Sequence, residues 1–157
     1  CDSDFLWQRD MMSLLAYADS SLSVSCVHHE YTECPNKLKM DGMKQEWYPR
    51  KNWSSLMLFD CEHEHCKRLT PEVVSTASPK YLHRMEWTED ECIGRIPHSY
   101  NYLVGYYDTH KRPGAYHFTD GGPWHKDTAD CLYSEKWLSY LTESEKQQWE
   151  NGEFWAA

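Results

Sequence analysis

The most constraining stretch of this chain is Leu56-Met57-Leu58-Phe59, a continuous apolar run within the segment from Trp53 to Cys61. An apolar run of strand length without polar alternation points to a strand covered on both faces, which requires material packed on each side of its sheet. The run therefore reads as the centre of the sheet. Ser21 to Val27 alternates Leu22, Val24 and Cys26 with Ser21, Ser23 and Ser25, the period-two pattern of a half-buried strand. Ala115 to Thr119 reads as a further short strand entering the turn at Gly121-Gly122-Pro123, and Ile93 to Val104 as extended segments joined by a turn near Pro97.

Helical signals lie between these strands. Met11, Leu14, Leu15 and Ala18 recur at helical spacing over Gln8 to Ala18, after a loop over Asp2 to Trp7. Thr70-Pro71-Glu72 and Ser78-Pro79-Lys80 each place a capping hydroxyl before a proline at the first helical position, where the missing N–H costs nothing. The tail from Ser134 is expected to be helical, with Thr142 and Glu145 spaced as a capping box. Strands alternating with helices predict an α/β architecture, a mixed sheet flanked by helices, and the lack of a clear linker puts residues 1–157 in one domain. Residues 29 to 51 are polar and irregular, with Pro35, Gly42 and Pro49, and are expected to cover a ligand.

Charge narrows the partners. The net charge is −9 and the cations, such as Lys37, Lys39, Arg50, Lys51, Lys67 and Arg68, are scattered, so no basic face exists to neutralise a nucleic-acid backbone. No apolar run approaches the roughly 20 residues needed to span a bilayer. The chain opens at Cys1 rather than Met and reads as a fragment or processed product. Its seven cysteines are odd in number, with no C-x-x-C pair, which argues against a disulfide framework. Most are expected to be reduced and several buried, as in a cytoplasmic protein.

An acidic protein that binds an anion needs a metal ion or local cations to offset the repulsion. Asp2 and Asp4 lie two apart, so on an extended backbone both carboxylates can face one hard cation, although acidic residues ahead of a helix also serve its dipole. His117-Phe118-Thr119-Asp120-Gly121-Gly122-Pro123-Trp124 adds an imidazole and a glycine pair able to bring backbone N–H groups close to an anion, with Lys126 just beyond. Two carboxylates and one imidazole suit manganese, with magnesium as the alternative.

These segments, with Asn52-Trp53-Ser54-Ser55-Leu56-Met57-Leu58-Phe59 and Ile96-Pro97-His98-Ser99-Tyr100-Asn101, resemble in order and spacing the blocks of glycogenin-like (family 8) retaining glycosyltransferases and their bacterial and phage relatives. The resemblance implies a partial GT-A fold. It covers nearly the whole chain but only the later part of that family's domain, the N-terminal nucleoside-binding half being absent. It implies Asp2, Asp4 and His117 as ligands of Mn2+ or Mg2+. Ser3, Asn52, Ser54, Ser55 and Asn101 are implied at the donor sugar or diphosphate. The lysine that precedes Pro-Trp in the family is replaced by Gly122, so diphosphate contact is expected from the backbone of Gly121 and Gly122 or from Lys126. Asp120 is a polar contact to the sugar or, more simply, a turn former. The reaction implied is metal-dependent transfer of a sugar, with retention, from a nucleotide diphosphate donor such as a UDP-sugar to a hydroxyl of a carbohydrate or other acceptor.

Two other readings compete. Cys61-Glu62-His63-Glu64-His65-Cys66 packs soft ligands into six residues, the ligand types of a small zinc module, but ligands so close in sequence surround one ion only in a sharply folded loop. A solvated loop is the expectation. Alternatively, Trp47, Tyr48, Trp87, Tyr106 and Tyr107 could stack on pyranose rings in a non-catalytic carbohydrate-binding module, though most of these rings are expected in the core. His28, His29, His83, His98, His110 and His125 are read as structural or solvated, His125 being the one beside the metal block.

Overall fold

The structure is a computed structural model that describes residues 1–30, 47–107 and 112–155. Among these are six short strands: β1 (Phe5–Trp7), β2 (Val24–Val27), β3 (Met57–Phe59), β4 (Ile93–Ile96), β5 (Tyr102–Leu103) and β6 (Ala115–His117). They form two three-stranded mixed sheets. One has the order β1-β6-β5, with β1 antiparallel and β5 parallel to β6; the other has the order β3-β2-β4, with β3 antiparallel and β4 parallel to β2. The class is α/β. Three short helices, α1 (Glu64–Lys67), α2 (Pro71–Thr76) and α3 (Pro79–His83), lie between β3 and β4, and α4 (Ser134–Leu138) and α5 (Glu143–Glu150) follow β6. No helix among the described residues is long and apolar enough to cross a membrane.

The helix starts follow their local chemistry. Thr70 accepts a hydrogen bond from the Val73 N–H and Ser78 from the Tyr81 N–H, each ahead of a proline in the first turn. Thr142 and Glu145 form a reciprocal capping box at the start of α5. Elsewhere tertiary pairing overrides the local signal. Phe5–Trp7, expected as loop, becomes a strand because it pairs with β6, a partner that no local pattern reveals. Gln8 to Ala18 forms no α-helix but a tighter 3-10 segment over Met11–Tyr17, capped by Asp10. Leu14 and Tyr17 reach the core, while Met11, Met12 and Leu15 stay exposed.

The sheet's centre also differs from expectation. Leu56 is buried, but Met57–Phe59 is an edge strand, half-buried and ending in exposed Phe59. The central strand is β2, buried along its whole length. Ser25 within it and Ser23 just before it belong inside because their hydroxyls are satisfied there: Ser23 Oγ donates to the Cys92 carbonyl at 3.0 Å, and Ser25 Oγ to the Tyr17 carbonyl at 3.2 Å. Ser25 faces Gly94 across the parallel ladder, and a Cβ on Gly94 would fall on the Ser25 hydroxyl and 2.6 Å from Leu22 Cδ1.

The chain passes from one sheet to the other between β4 and β5, through the single turn His98–Tyr100. Buried Leu14, Val27, Leu56, Ile96 and Tyr100 form the cluster beneath this crossing, and Phe5 and Trp7 from β1 and Leu58 from β3 pack on it. The described cysteines are all free, and Cys26 is fully buried, where desolvation pushes its thiol up to about 12. Cys34, His110, Lys37, Lys39, Pro35 and Gly42 lie outside the described residues.

Gly94→Ala is expected to destabilise the fold by about 1–3 kcal/mol, the usual cost of overpacking a dense core. Urea unfolding of the variant beside the parent measures it.

Candidate metal centre

Register builds the site. Phe5 lies opposite His117 in the β1–β6 ladder, and the Phe118 N–H extends the pairing by donating to the Asp4 carbonyl at 3.0 Å. The turn at Ser3 and Asp4 then folds the acidic pair back towards the imidazole, and the Asp2 N–H is tied to the Ser55 carbonyl at 2.9 Å. One carboxylate oxygen from each of Asp2 and Asp4 and one ring nitrogen of His117 lie within 4.8 Å of one another. The Phe5 ring stacks on His117 at 4.4 Å between centroids and covers the imidazole.

The hydrogen bonds behind His117 assign its Nδ1. Ser55 Oγ donates its one proton to the Asn52 carbonyl at 2.6 Å, so towards Asn101 it can only accept. It accepts from Asn101 Nδ2 at 2.8 Å. That fixes the amide, whose Oδ1 faces His117 Nδ1 at 2.8 Å and must receive its proton. Nδ1 of His117 is therefore the N–H, and Nε2 presents a lone pair to Asp4 Oδ1 at 3.3 Å. Asp4 Oδ1 is itself buried without a hydrogen-bond partner. Two lone pairs at this separation require a positive centre: a second proton on Nε2, giving an imidazolium–carboxylate pair, or a cation bound by both groups. A buried imidazole oriented by an amide behind it is the second layer of support found around metal-bound histidines.

The carboxylates differ in their electrostatics. Burial raises Asp4, but the adjacent His117, through its polar contact and its charge, outweighs it, and the group lies below its ordinary value of 3.8. Desolvation by the surrounding protein lifts Asp2 above 3.8, and the Asp4 charge adds to this while His117 opposes it. Protons thus compete unequally for the two ligands. Beside them opens a cavity of about 410 Å³ lined by Asp2, Ser3, Asp4, Thr119, Gly121, Trp124 and His125, among others.

The other expected site residues divide. Asn101 and Ser55, expected at the donor sugar, are buried and act as the relay that orients His117. Asn52 supplies the end of that relay through its carbonyl, from a left-handed backbone conformation. Ser54 Oγ shares a 2.9 Å hydrogen bond with His83 Nδ1, and His83 lies close enough to Asp2 to lower its carboxyl. Asp120 accepts from the Tyr106 hydroxyl at 3.2 Å and belongs to the turn. The Gly121 N–H is engaged by the Phe118 carbonyl at 2.8 Å, so it is not free for a diphosphate. Gly122 is glycine because a Cβ there would enter the Trp124 ring, which lines the cavity. Lys126 is exposed on a turn outside the cavity lining, whereas His125, read as solvated, is part of it.

Most of the remaining histidines are structural. His28 stacks on Trp53 at 3.8 Å, and His98 Nε2 bonds the His28 carbonyl at 2.9 Å. His29 is buried, bonded to the Tyr107 hydroxyl at 2.8 Å, and its Nε2 has no partner. Burial first, then the nearby imidazoles of His98, His117 and His28, hold it down to about 3.

No protein-family model matches the sequence, and no solved structure matches it. The chain is similar to Protein CDI of Arabidopsis thaliana, with 42% identity over 151 residues that cover 93% of this chain and 58% of that protein. It thus spans less than two thirds of that relative's length.

Two outcomes follow from this geometry. Asn101→Ala is expected to weaken Mn2+ binding by roughly 10–100-fold, the effect of losing a group that orients a metal-bound imidazole, with the fold retained in circular dichroism. Titration of the variant by calorimetry checks it. For His29 the folded value lies below the unfolded one of 6.5, so its stabilisation is full above pH 6.5 and falls as pH drops towards 3. Between pH 6.5 and 5 the loss is about 2 kcal/mol, and His29→Phe flattens that part of a stability–pH curve.

Proposed function

We propose that this chain carries the metal-binding part of a glycosyltransferase that moves a sugar from a nucleotide diphosphate donor to an acceptor hydroxyl. The observation behind this reading is the convergence of Asp2, Asp4 and the lone pair of His117 beside an open cavity. The donor set of two carboxylates and one imidazole suits Mn2+, with Mg2+ as the alternative, and the partnerless oxygen of Asp4 fits a coordinated cation. When bound, the ion would neutralise the charge that develops on the leaving diphosphate. The chain's own residues do the positioning: Asn101 and Ser55 hold the imidazole, and Phe5 shields it from water. The small side chains of Ser3 and Thr119, with Gly121, leave room at the cavity for phosphate oxygens.

The resemblance to family 8 transferases supplies the donor class, a UDP-sugar, the expectation of retention and the partial GT-A fold. Free cysteines agree with a reducing compartment such as the cytoplasm. A non-catalytic sugar-binding module has one observation in its favour, the Trp124 ring at the cavity wall, but that reading gives the buried relay no role.

Thermal unfolding with and without Mn2+ and UDP tests the proposal. Ligand at a hundred times its dissociation constant should add about 2.7 kcal/mol, and UDP should act only when the metal is present. Asp2→Ala with Asp4→Ala should remove the shift. Saccharide binding that ignores the metal would favour the non-catalytic module. No Mn2+-dependent shift at all would overturn the transferase reading.

A further inference from the structure

A second set of soft ligands meets at the far end of the other sheet. A ring nitrogen from each of His63 and His65 and the sulfur of Cys92 lie within 4.8 Å of one another. The first two come from the loop and first turn that follow edge strand β3; Cys92 ends the 3-10 turn that leads into β4. The zinc cluster of Cys61, His63, His65 and Cys66, the reading disfavoured from the sequence, does not form. Cys61 is exposed, and Cys66 Sγ donates to the Ser23 carbonyl at 3.0 Å.

Hydrogen bonding fixes His65 as it fixes His117. Ser23 Oγ gives its proton to the Cys92 carbonyl, so it can only accept from Thr88 Oγ1, 2.7 Å away. Thr88, having donated there, must accept from His65 Nδ1 at 2.8 Å. His65 is 5% exposed, and with Nδ1 engaged in this buried chain its Nε2 is the ring nitrogen left for another partner. Glu64 Oε1 stands 3.7 Å from that nitrogen. His63 Nδ1 accepts only a long 3.2 Å bond from the His65 N–H, and its ring lies edge-on to that of His65 at 4.7 Å.

We propose that His63, His65 and Cys92 hold a structural zinc ion, with Glu64 as the fourth ligand. Two imidazoles, a thiolate and a carboxylate are a borderline-soft, four-coordinate set that suits Zn2+ and is poorly matched to Mg2+. Binding would deprotonate Cys92, whose proton leaves to solvent, and would replace the weak bond at His63 Nδ1 by coordination. With metal–ligand bonds of about 2.0–2.3 Å the groups must close in by roughly 1 Å, a rotation that half-buried His63 and exposed Glu64 can supply. The ion then ties the start of α1, which follows edge strand β3, to the entry of β4 at the other edge of the sheet. This inference stands apart from the transferase reading, since the two sites share no residue.

The test uses chelator-treated chain titrated with Co2+ and then Zn2+. A sulfur-to-cobalt charge-transfer band at one equivalent, displaced by Zn2+, is expected, and the Asp2, Asp4 and His117 site cannot produce it because it holds no thiolate. Cys92→Ser should abolish the band, while Cys61→Ser and Cys66→Ser keep it. Thr88→Val should weaken Zn2+ by roughly 10–100-fold, the effect of losing a group that orients a ligand. His63→Gln, at a half-buried loop position, repeats the test where Cys92→Ser does not fold, and should also cost at least tenfold in affinity. Absence of the band from the parent chain, its survival in Cys92→Ser, or unchanged affinity in His63→Gln overturns the proposal.

Discussion

The side-chain amide of Asn101 holds a position that only one orientation satisfies, and the candidate site depends on it. Buried completely, it donates to Ser55 and accepts from His117, and the Ser55 hydroxyl is already committed to a backbone carbonyl. A reversed amide would set donor against donor at His117 and acceptor against a hydroxyl with no proton to give. In a medium of low polarity such mismatches are costly, so the chain of bonds fixes a proton on Nδ1 of the imidazole. His117 Nε2, which faces Asp4, is the end of that chain.

The backbone that carries this relay is held by packing rather than by long secondary structure. Strands of two to four residues contribute few ladder bonds each, and the two sheets share the cluster of Leu14, Val27, Leu56, Ile96 and Tyr100. Asn101 follows Tyr100 at the crossing from β4 to β5, so the residue that orients the site and the ring that anchors the crossing are neighbours in the chain. His117 arrives from β6, Ser55 from the turn before β3, and Asp4 from the turn before β1. Four distant segments therefore meet at one site, and the packing that closes the two sheets is also what brings the ligands together.

Hydroxyl groups solve a related problem in the second sheet. Ser25 sits in the central strand and Ser23 just before it, where apolar residues would be anticipated, yet each finds a backbone carbonyl to accept its proton. Small polar side chains there let β2 and β4 approach through Gly94, and they connect the strand to Thr88 and His65. Polar residues in this core do not mark a solvent-facing side of a strand. They mark places where another segment supplies the missing bond.

Local chemistry was legible in the sequence by itself. The proline-led caps of α2 and α3, the capping box of α5, the strand at Ala115–His117 and the extended segments either side of Pro97 depend on neighbours a few residues away, and the structure has them. The trio Asp2, Asp4 and His117 was also accessible, through the resemblance to family 8 blocks, and the structure brings its candidate ligand atoms within 4.8 Å of one another. What only the tertiary structure decided depends on partners far along the chain. Leu56–Phe59 became an edge because β2 could bury its serines, and Phe5–Trp7 became a strand because β6 was there to pair with it. Asn101 and Ser55 turned from presumed ligand contacts into a buried relay, and Cys92 rather than Cys61 or Cys66 met His63 and His65. Residue spacing fixes what can bond within a turn or a strand; which donor meets which acceptor across the core is set by the packing that excludes water from both.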